Sequence, residues 1–462
     1  MNQFTFEARQ KATLGGFMVL GLLCMGLTAM GDDGHYTRLW SNYLHNSVFF
    51  TGIALFSLFI ISAFTTAWAG WYSQFKRIFE AYSLFLIPGL VLMLVVVAGL
   101  WGGMHHLYHW ADPNTLDPDS VHYDPILVGK SSFLNANWYT FGTLVFMAIW
   151  IFFAWKMRQI SLDEDNNGTT DWNHHHRMRI WAAAFLPIAG FTSAAVVWQW
   201  VMSVDSHWYS TLFAWYCGAS WFVSAIALGI MSLAWLKSKG YYERVSSEHL
   251  HDLGKFLFAF SIFWTYLWFS QFMLIWYGNN GEETVYFFER MNNYPVLFYG
   301  NLAINFILPF FILMRNDTKR KYGTLIFASI LVLFGHWLDF FLMIKPGVLH
   351  TKHEMSGHHG AGHGDAGHHG TDHAADAGHH IADASGHGAD HAADAAHGVA
   401  EAAAHHASSA FEAGFSLPGL LEVGTFLGFL AFFMYMFLHN LSKANLEPKN
   451  EPYLGESYHH HV

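Results

Sequence analysis

Residues 333–344 of the sequence read LFGHWLDFFLMI. Ten of these twelve residues suit a buried or lipid-facing helix, and the two exceptions are His336 and Asp339. Ionisable side chains deep in a membrane are costly, and where they occur they point into a helix bundle or a polar cavity. The function of the chain therefore depends on whether this stretch crosses a membrane and on what surrounds its histidine and its carboxylate.

The composition of the whole chain indicates an integral membrane protein. Of its 462 residues, 53% are hydrophobic, 18% are aromatic and only 12% are charged. A soluble protein carries roughly 25% charged residues. The 43 Phe and 20 Trp residues suit helix contacts and the two membrane interfaces. The formal net charge of −11 gives no support to a nucleic-acid partner.

Ten apolar stretches are long enough to cross a bilayer core, which requires about 20 residues in a helix. They lie at about 12–30, 47–71, 82–103, 135–157, 178–202, 208–236, 254–277, 294–314, 322–344 and 415–438. The first stretch is long for a signal peptide, so we interpret it as a retained helix. The sequence thus predicts an all-α integral membrane protein with ten transmembrane helices.

Basic residues are distributed unequally between the two sides of these predicted spans. With the N-terminus inside, 18 of the 23 Lys and Arg residues fall in inner segments. Inner segments of membrane proteins carry an excess of Lys and Arg, so we expect both termini in the cytoplasm.

One outer segment differs from the rest of the chain. Residues 350–414 consist largely of His, Ala, Gly and Asp, with 15 histidines between His350 and His406. Such a composition offers little to pack in a core, so we expect a disordered outer loop. Metal binding by its histidines is a possible role, but a tolerated low-complexity insertion is the simpler interpretation.

His336 and Asp339 are three residues apart, so both side chains share one face of the ninth helix. They lie just beyond the middle of that helix, which favours a proton path, although a pair that merely joins two helices is the plain alternative. Further candidates for the path lie nearer the two membrane surfaces. They are Asp205, His207, Tyr266, Gln271, His251, Asp252 and Lys255.

Several classes of redox protein are disfavoured by the ligands that the sequence offers. A bis-histidine haem needs two facing deep histidines, and only His336 falls deep in a predicted span. Cys24 and Cys217 both lie in apolar runs, and there is no CxxCH motif. We therefore expect no haem, no iron–sulfur cluster, no catalytic residue and no metal ligand in this chain. A secondary transporter and a structural anchor without proton conduction stay open.

Three stretches resemble a known family. SVDSHWYSTLFAWY (203–216), HDLGKFLFAFSIFWTYLWFSQFMLIWYGNNGEET (251–284) and GHWLDFF (335–341) are similar to the F subunits of bacterial alternative complex III. These subunits belong to the NrfD-like, polysulfide-reductase-anchor family of the inner membrane. The resemblance covers all ten predicted helices, and the histidine-rich insertion departs from the family pattern.

The resemblance implies a domain organisation around two four-helix bundles. Residues 1–46 would hold the first helix, 47–202 the first bundle (helices two to five) and 203–349 the second bundle (helices six to nine). Residues 350–414 would form the outer loop, and 415–462 the tenth helix with a cytoplasmic tail.

The resemblance also implies a function in the respiratory chain. The complex is a quinol:cytochrome c oxidoreductase that takes menaquinol or ubiquinol as substrate, and this subunit would support the quinone site or conduct protons. The implied partners are a homologous C subunit, an iron–sulfur B subunit, multihaem and monohaem cytochromes and a terminal cytochrome oxidase, together with membrane lipid. Four outer residues are candidates for the quinone side, namely His105, His106, Tyr108 and His109.

Overall fold

The computed structural model describes residues 3–120, 123–168, 172–360 and 411–460. Within these residues, ten helices are long and apolar enough to cross a membrane, which confirms the predicted all-α membrane protein. We label them α1 (Ala8–Met30), α2 (Thr37–Thr66), α3 (Ser73–Trp101), α4 (Ala136–Asn167), α5 (Asn173–Trp200), α6 (Leu212–Ser238), α7 (Ser247–Gly278), α8 (Pro295–Leu313), α9 (Tyr322–Gly360) and α10 (Leu420–Leu441). Short helices connect them at Pro125–Lys130, Gly281–Asn293 and Asn316–Arg320, and Leu454–Tyr458 follows α10.

The ten helices form two bundles and one flanking pair. Helices α2–α5 pack together as the first bundle and α6–α9 as the second, and the two bundles meet along α2, α6 and α9. The flanking pair, α1 and α10, pack on each other, and α10 also contacts α2 and α3. Residues 3–7 and 442–460 lie together at one end, which we call the terminal end, and we call the opposite end the far end.

Several helices extend well beyond the predicted spans, and α2 and α9 matter for the site. Helix α2 begins at Thr37, ten residues before the predicted start of that span. Helix α9 continues through Pro346 to Gly360, so the predicted start of the disordered loop at residue 350 is wrong. The rest of that prediction, for residues 361–410, lies outside the described residues.

Prolines shape two of the spanning helices. Helix α3 is interrupted at Leu84 and Phe85, because the ring of Pro88 clashes with the carbonyl four residues before it. Helix α8 contains a π-helical turn at Ala303–Ile307, and Leu308 separates this turn from Pro309. Such a turn inserts one extra residue into the helix and re-aims the side chains around it.

Glycines allow α1 and α10 to approach each other closely. A Cβ atom added to Gly21 would lie 2.6 Å from the Cα atom of Gly428, and the reverse substitution meets the same distance. Small residues at such a crossing let two membrane helices gain van der Waals contact between their backbones.

A network of buried charges joins α3 to α4 near the terminal end. Glu80 accepts hydrogen bonds from Arg158 Nη1 at 2.5 Å and from Ser161 Oγ at 2.7 Å. Arg77 Nη2 donates to Asp165 Oδ2 at 2.8 Å. Because these side chains are almost fully buried, each charge depends on its partner for compensation.

The tail after α10 is held by the same network. Lys76 donates to Glu451 in the tail and to Glu164 of α4. Burial alone raises the pKa of Glu451, but Lys76 and His175 outweigh that effect and lower it to about 2. The charged side chains of α3 and α4 thus fix the tail across the terminal end of the first bundle.

Candidate functional site

Asp339 lies near the middle of α9, and its side chain is fully buried in the second bundle. Its carboxyl group is surrounded by donors from three other helices. These are the Tyr216 hydroxyl and Ser220 Oγ (2.8 Å) of α6, Trp264 Nε1 (3.0 Å) of α7 and Asn301 Nδ2 (2.6 Å) of α8. None of these donors carries a charge, and no ion pair joins Asp339 to another described residue. The site can therefore lose its net charge only by binding a proton.

The four donors are suited to both protonation states of Asp339. The N–H groups of Trp264 and Asn301 can only donate, whereas the hydroxyls of Tyr216 and Ser220 can donate or accept. The ionised carboxylate accepts all four hydrogen bonds. The protonated acid can donate to one of the two hydroxyls, which then turns its own hydrogen away. The surrounding donors therefore allow a proton to be bound and released without rearrangement of the helices.

A small cavity adjoins Asp339 on the side of the far end. Its volume is about 20 Å³, and its walls include Asp339, Tyr216, Gln271, Tyr286 and Arg290. A polar cavity needs roughly 10–15 Å³ to hold one water molecule. When Asp339 is protonated and donates to Tyr216, one water there can receive the hydroxyl hydrogen of Tyr216 and connect Asp339 with the polar groups beyond.

Arg290 closes this cavity at the far end. Its guanidinium is buried, donates to Asp205 Oδ2 at 2.8 Å and stacks on Tyr286, with 3.3 Å between its Cζ atom and the ring centroid. Burial alone lowers the pKa of Arg290, but Tyr286, Asp205 and Glu289 together raise it above its usual value. Arg290 thus stays charged and joins the cavity to Asp205 at the edge of the bundle.

The sequence Lys345–Pro346–Gly347 explains why Arg290 and Asp205 meet at α9. Pro346 has no N–H group, so the carbonyl of Leu342 loses its partner within the helix. Arg290 Nε donates to that carbonyl at 3.2 Å, and this bond lets the helix continue. A Cβ atom on Gly347 would lie 2.6 Å from Asp205 Oδ1, so only glycine admits this carboxylate.

Polar groups without a partner lie on the other side of Asp339. His336 is fully buried, and neither ring nitrogen has a hydrogen-bond partner in the described part of the chain. Ser261 Oγ and Asn305 Oδ1 are buried and unpaired there as well. Buried polar atoms are normally satisfied, often by ordered water. These atoms make the region between Asp339 and the terminal end polar.

His336 and Asp339 share a face, as predicted, but they do not bond to each other. Both contact Trp264, whose indole donates to Asp339 while its ring lies 5.3 Å from the His336 ring. Asn305 Nδ2 donates to Asn301 Oδ1 at 2.6 Å and so extends the hydrogen-bonded group toward the terminal end.

The remaining proton-path candidates divide between the two ends. Gln271 lines the cavity, as described, whereas His207 lies at the far end and bonds to Asp124. Asp252 at the terminal end pairs with Lys255 at 2.8 Å and with His460 at 2.6 Å. His251 is buried beside this pair at the start of α7. The interpretation of these terminal-end residues as a proton entrance stays a prediction.

Tyr266 does not belong to the site. Its side chain is 63% exposed on the outer surface of α7. It lies about 160° around the helix from Trp264 and about 140° from Gln271, which both face the bundle.

The quinone-side candidates lie mainly against the first bundle. The His105 ring bonds the carbonyl of Val96 at 3.0 Å, and burial lowers its pKa. Tyr108 donates to the carbonyl of Trp200 and contacts Tyr139, and burial with this neighbour raises its pKa. His106 packs against His35, with 4.2 Å between ring centroids. These contacts anchor the loop after α3.

The chain matches no family model and no curated protein with which it was compared. The likeness to the NrfD-like family thus rests on the three sequence stretches alone.

Sequence reasoning missed a second deep histidine. His45 of α2 is buried against α9, where its Nε2 atom lies 2.9 Å from the carbonyl of Trp337 and its ring stacks on the indole. The predicted span begins at residue 47, which places His45 in a loop. The carbonyl requires a proton on Nε2, so this nitrogen is not available as a metal ligand.

A buried lysine was also missed. Lys345 Nζ donates to Ser41 Oγ at 2.7 Å and to Asn42 Oδ1 at 2.6 Å, and Asn42 in turn donates to Glu422 at 3.1 Å. Glu422 also pairs with Arg38 through two hydrogen bonds. This cluster ties α9, α2 and α10 together at the far end.

Proposed function

We propose that this protein conducts protons through its second bundle and that Asp339 binds them near the middle of the membrane. The observation that carries the proposal is a fully buried carboxylate with only neutral donors, next to a cavity that leads to the Arg290–Asp205 pair. A structural hydrogen-bonding role alone needs no titratable group at this depth, where an ionisable side chain is costly.

The part of the proposed path between Asp339 and Asp205 at the far end is short. Gly347, which contacts Asp205, lies eight residues beyond Asp339 on α9, or about 12 Å along the helix axis. One water in the cavity and the Arg290–Asp205 pair cover most of this distance. The opposite half passes His336, Ser261 and Asn305 and requires more water molecules, because these groups do not bond to one another.

The direction of the path follows from the charge distribution. Most Lys and Arg residues belong to segments at the terminal end, which supports a cytoplasmic location for that end. The far end, with Asp205, would then face the outside of a bacterial inner membrane.

The family resemblance supports a place in a quinol:cytochrome c oxidoreductase. Oxidation of one quinol releases two protons and two electrons, and the electrons need redox centres for which this sequence offers no typical motif. We therefore assign the electron transfer to the implied C, B and cytochrome subunits. This chain would move protons beside them or support the quinone site.

Replacing Gln271 by Leu should slow proton conduction. Leu has a similar size but removes a polar wall of the cavity, so the bridging water loses a hydrogen bond. A loss of about 1.4 kcal/mol corresponds to roughly tenfold in rate. The measurement is proton uptake by liposomes that contain the purified protein, driven by a potassium diffusion potential and followed with an internal pH dye.

Tyr266→Phe is the matched control, because Tyr266 lies on the same helix but faces lipid. Its flux should equal that of the unmodified protein. Equal flux in the Gln271→Leu variant, or no flux above that of protein-free liposomes in the unmodified protein, would contradict the proposed path.

The proposed complex is tested separately by purification from the native host. A chain tagged at its own locus should copurify with haem-containing subunits, seen as a reduced-minus-oxidised haem spectrum and identified by mass spectrometry. Purification of the chain alone in a mild detergent would contradict membership of the complex but would leave the liposome result standing.

A further inference from the structure

Three side chains from two connections between helices converge at the far end, outside the Asp339 site described above. They are His109 in the loop after α3, Asp124 before the helix Pro125–Lys130, and His207 in the turn between α5 and α6. One ligand atom of each lies within 4.8 Å of the others. His207 Nε2 is 2.5 Å from Asp124 Oδ2, and the two imidazole centroids are 5.7 Å apart.

The backbone around the cluster is held in place independently of these contacts. Asp124 Oδ1 caps the following helix by accepting hydrogen bonds from the amides of Ile126 at 2.8 Å and Leu127 at 3.3 Å. Lys130 Nζ donates to the carbonyls of Ser206 at 2.8 Å and His207 at 2.9 Å. Asp124 Oδ2 and the His207 ring are thus presented on fixed backbone positions.

We propose that His109, Asp124 and His207 form a binding site for Zn²⁺ at the far-end surface. Two imidazoles and one carboxylate are a common ligand set for this ion, with bonds of about 2.0–2.2 Å in tetrahedral geometry. Such bonds put ligand atoms roughly 3.3 Å apart, so the cluster needs only side-chain rotation to close around the ion.

The site is open to the solution. The side chain of His207 is 37% exposed and that of Asp124 is 17% exposed. Three protein ligands leave one position of a tetrahedral ion for water or a further ligand. The inference differs from the sequence expectation of no metal ligand, since the ligands lie 15 and 83 positions apart and follow no spacing motif.

The bound ion would join two separate connections. His109 and Asp124 lie in the connection between α3 and α4, and His207 lies in the α5–α6 turn. A His–Asp ion pair at a partly exposed position contributes little stability by itself. A metal ion adds a stronger, ligand-dependent constraint.

The test must report on these histidines individually, because the chain has 32 histidines and a bulk measurement would not distinguish the imidazoles of His109 and His207 from the others. Diethylpyrocarbonate modifies free imidazole nitrogens, and peptide mass spectrometry of the full-length protein resolves each site. Increasing Zn²⁺ should protect His109 and His207 from modification together. The half-point, which is the Zn²⁺ concentration that gives half-maximal protection, should be the same for both histidines.

Asp124→Asn should raise that half-point by at least about 100-fold, since loss of a group that only orients a ligand already costs roughly 10- to 100-fold. Asparagine is an equally good helix cap, so the local fold is retained. Asp119→Asn, at an exposed position of the same loop, should leave the half-point unchanged. Protection of His207 without His109, or an unchanged half-point in Asp124→Asn, would overturn the proposal.

Discussion

Replacing Asp339 by Asn should lower proton flux through the protein by on the order of 100-fold or more, the lower range for loss of a positioned proton-transfer group. The amide keeps nearly the same shape and can still accept from Tyr216 and Asn301. It cannot bind and release a proton at neutral pH. The measurement is the same liposome assay that serves for Gln271→Leu, together with proton release per electron in the assembled complex.

The substitution has a modest structural cost that must be separated from the loss of flux. An amide nitrogen in place of Oδ2 faces the indole N–H of Trp264, so one hydrogen bond is lost, at about 1–3 kcal/mol. Ser220 can adapt by accepting instead of donating. Folded protein should therefore be recovered, and its thermal unfolding in detergent should be checked before flux is compared.

Ser329→Ala is the control on the same helix. Ser329 is buried, and its hydroxyl donates to the carbonyl of Leu325, so its loss should leave the flux unchanged. If Asp339→Asn also conducts normally, Asp339 only holds four helices together, and the proton path must be sought elsewhere.

Replacing Glu80 by Gln should lower the free energy of unfolding by about 3–5 kcal/mol, the usual cost of removing one partner of a buried ion pair. Glu80 compensates Arg158 at 2.5 Å and lies 3.7 Å from Arg77. Without its charge, two buried guanidinium groups face a neutral amide. Unfolding by increasing sodium dodecyl sulfate in mixed micelles measures the change.

Two further variants serve as controls for the unfolding measurement on Glu80→Gln. Asp317→Asn breaks an ion pair whose side chains are both largely exposed, so no measurable effect is expected. A Glu80→Met, Arg158→Met double variant should recover most of the lost stability, since apolar residues of similar volume often replace a buried pair at little cost. Equal stability of Glu80→Gln and the unmodified protein would mean that water reaches these charges.

The sequence predicts the ten helices and the shared face of His336 and Asp339 because both depend on local rules. Span length and composition identify all ten helices, and the three-residue spacing places His336 and Asp339 on one face. The neutral donors to Asp339 come from α6, α7 and α8, and nothing local distinguishes Tyr216 or Trp264 from the many other aromatic residues. The available signal for a polar partner of Asp339 is the pair Asn301 and Asn305, which lie one turn apart in an otherwise apolar helix.

The far-end contacts were not predictable for a different reason. Arg290 lies in a connection that looks solvent-exposed, and its role becomes apparent only when Pro346 is found inside α9 with a carbonyl left to satisfy. A proline near the end of an apolar stretch normally marks a boundary. Here a side chain 56 positions away replaces the missing hydrogen bond, so the helix continues.

The packing of α1 on α10 affects the order in which the chain can be assembled during translation. The ribosome delivers α1 to the membrane well before α10, the helix on which α1 packs most closely. Until α10 is inserted, the surface of α1 around Gly21 has no α10 to pack on. A chain that stops before residue 420 therefore leaves this surface of α1 exposed to lipid. The close contact of α1 with α10 therefore forms only after both bundles have been inserted.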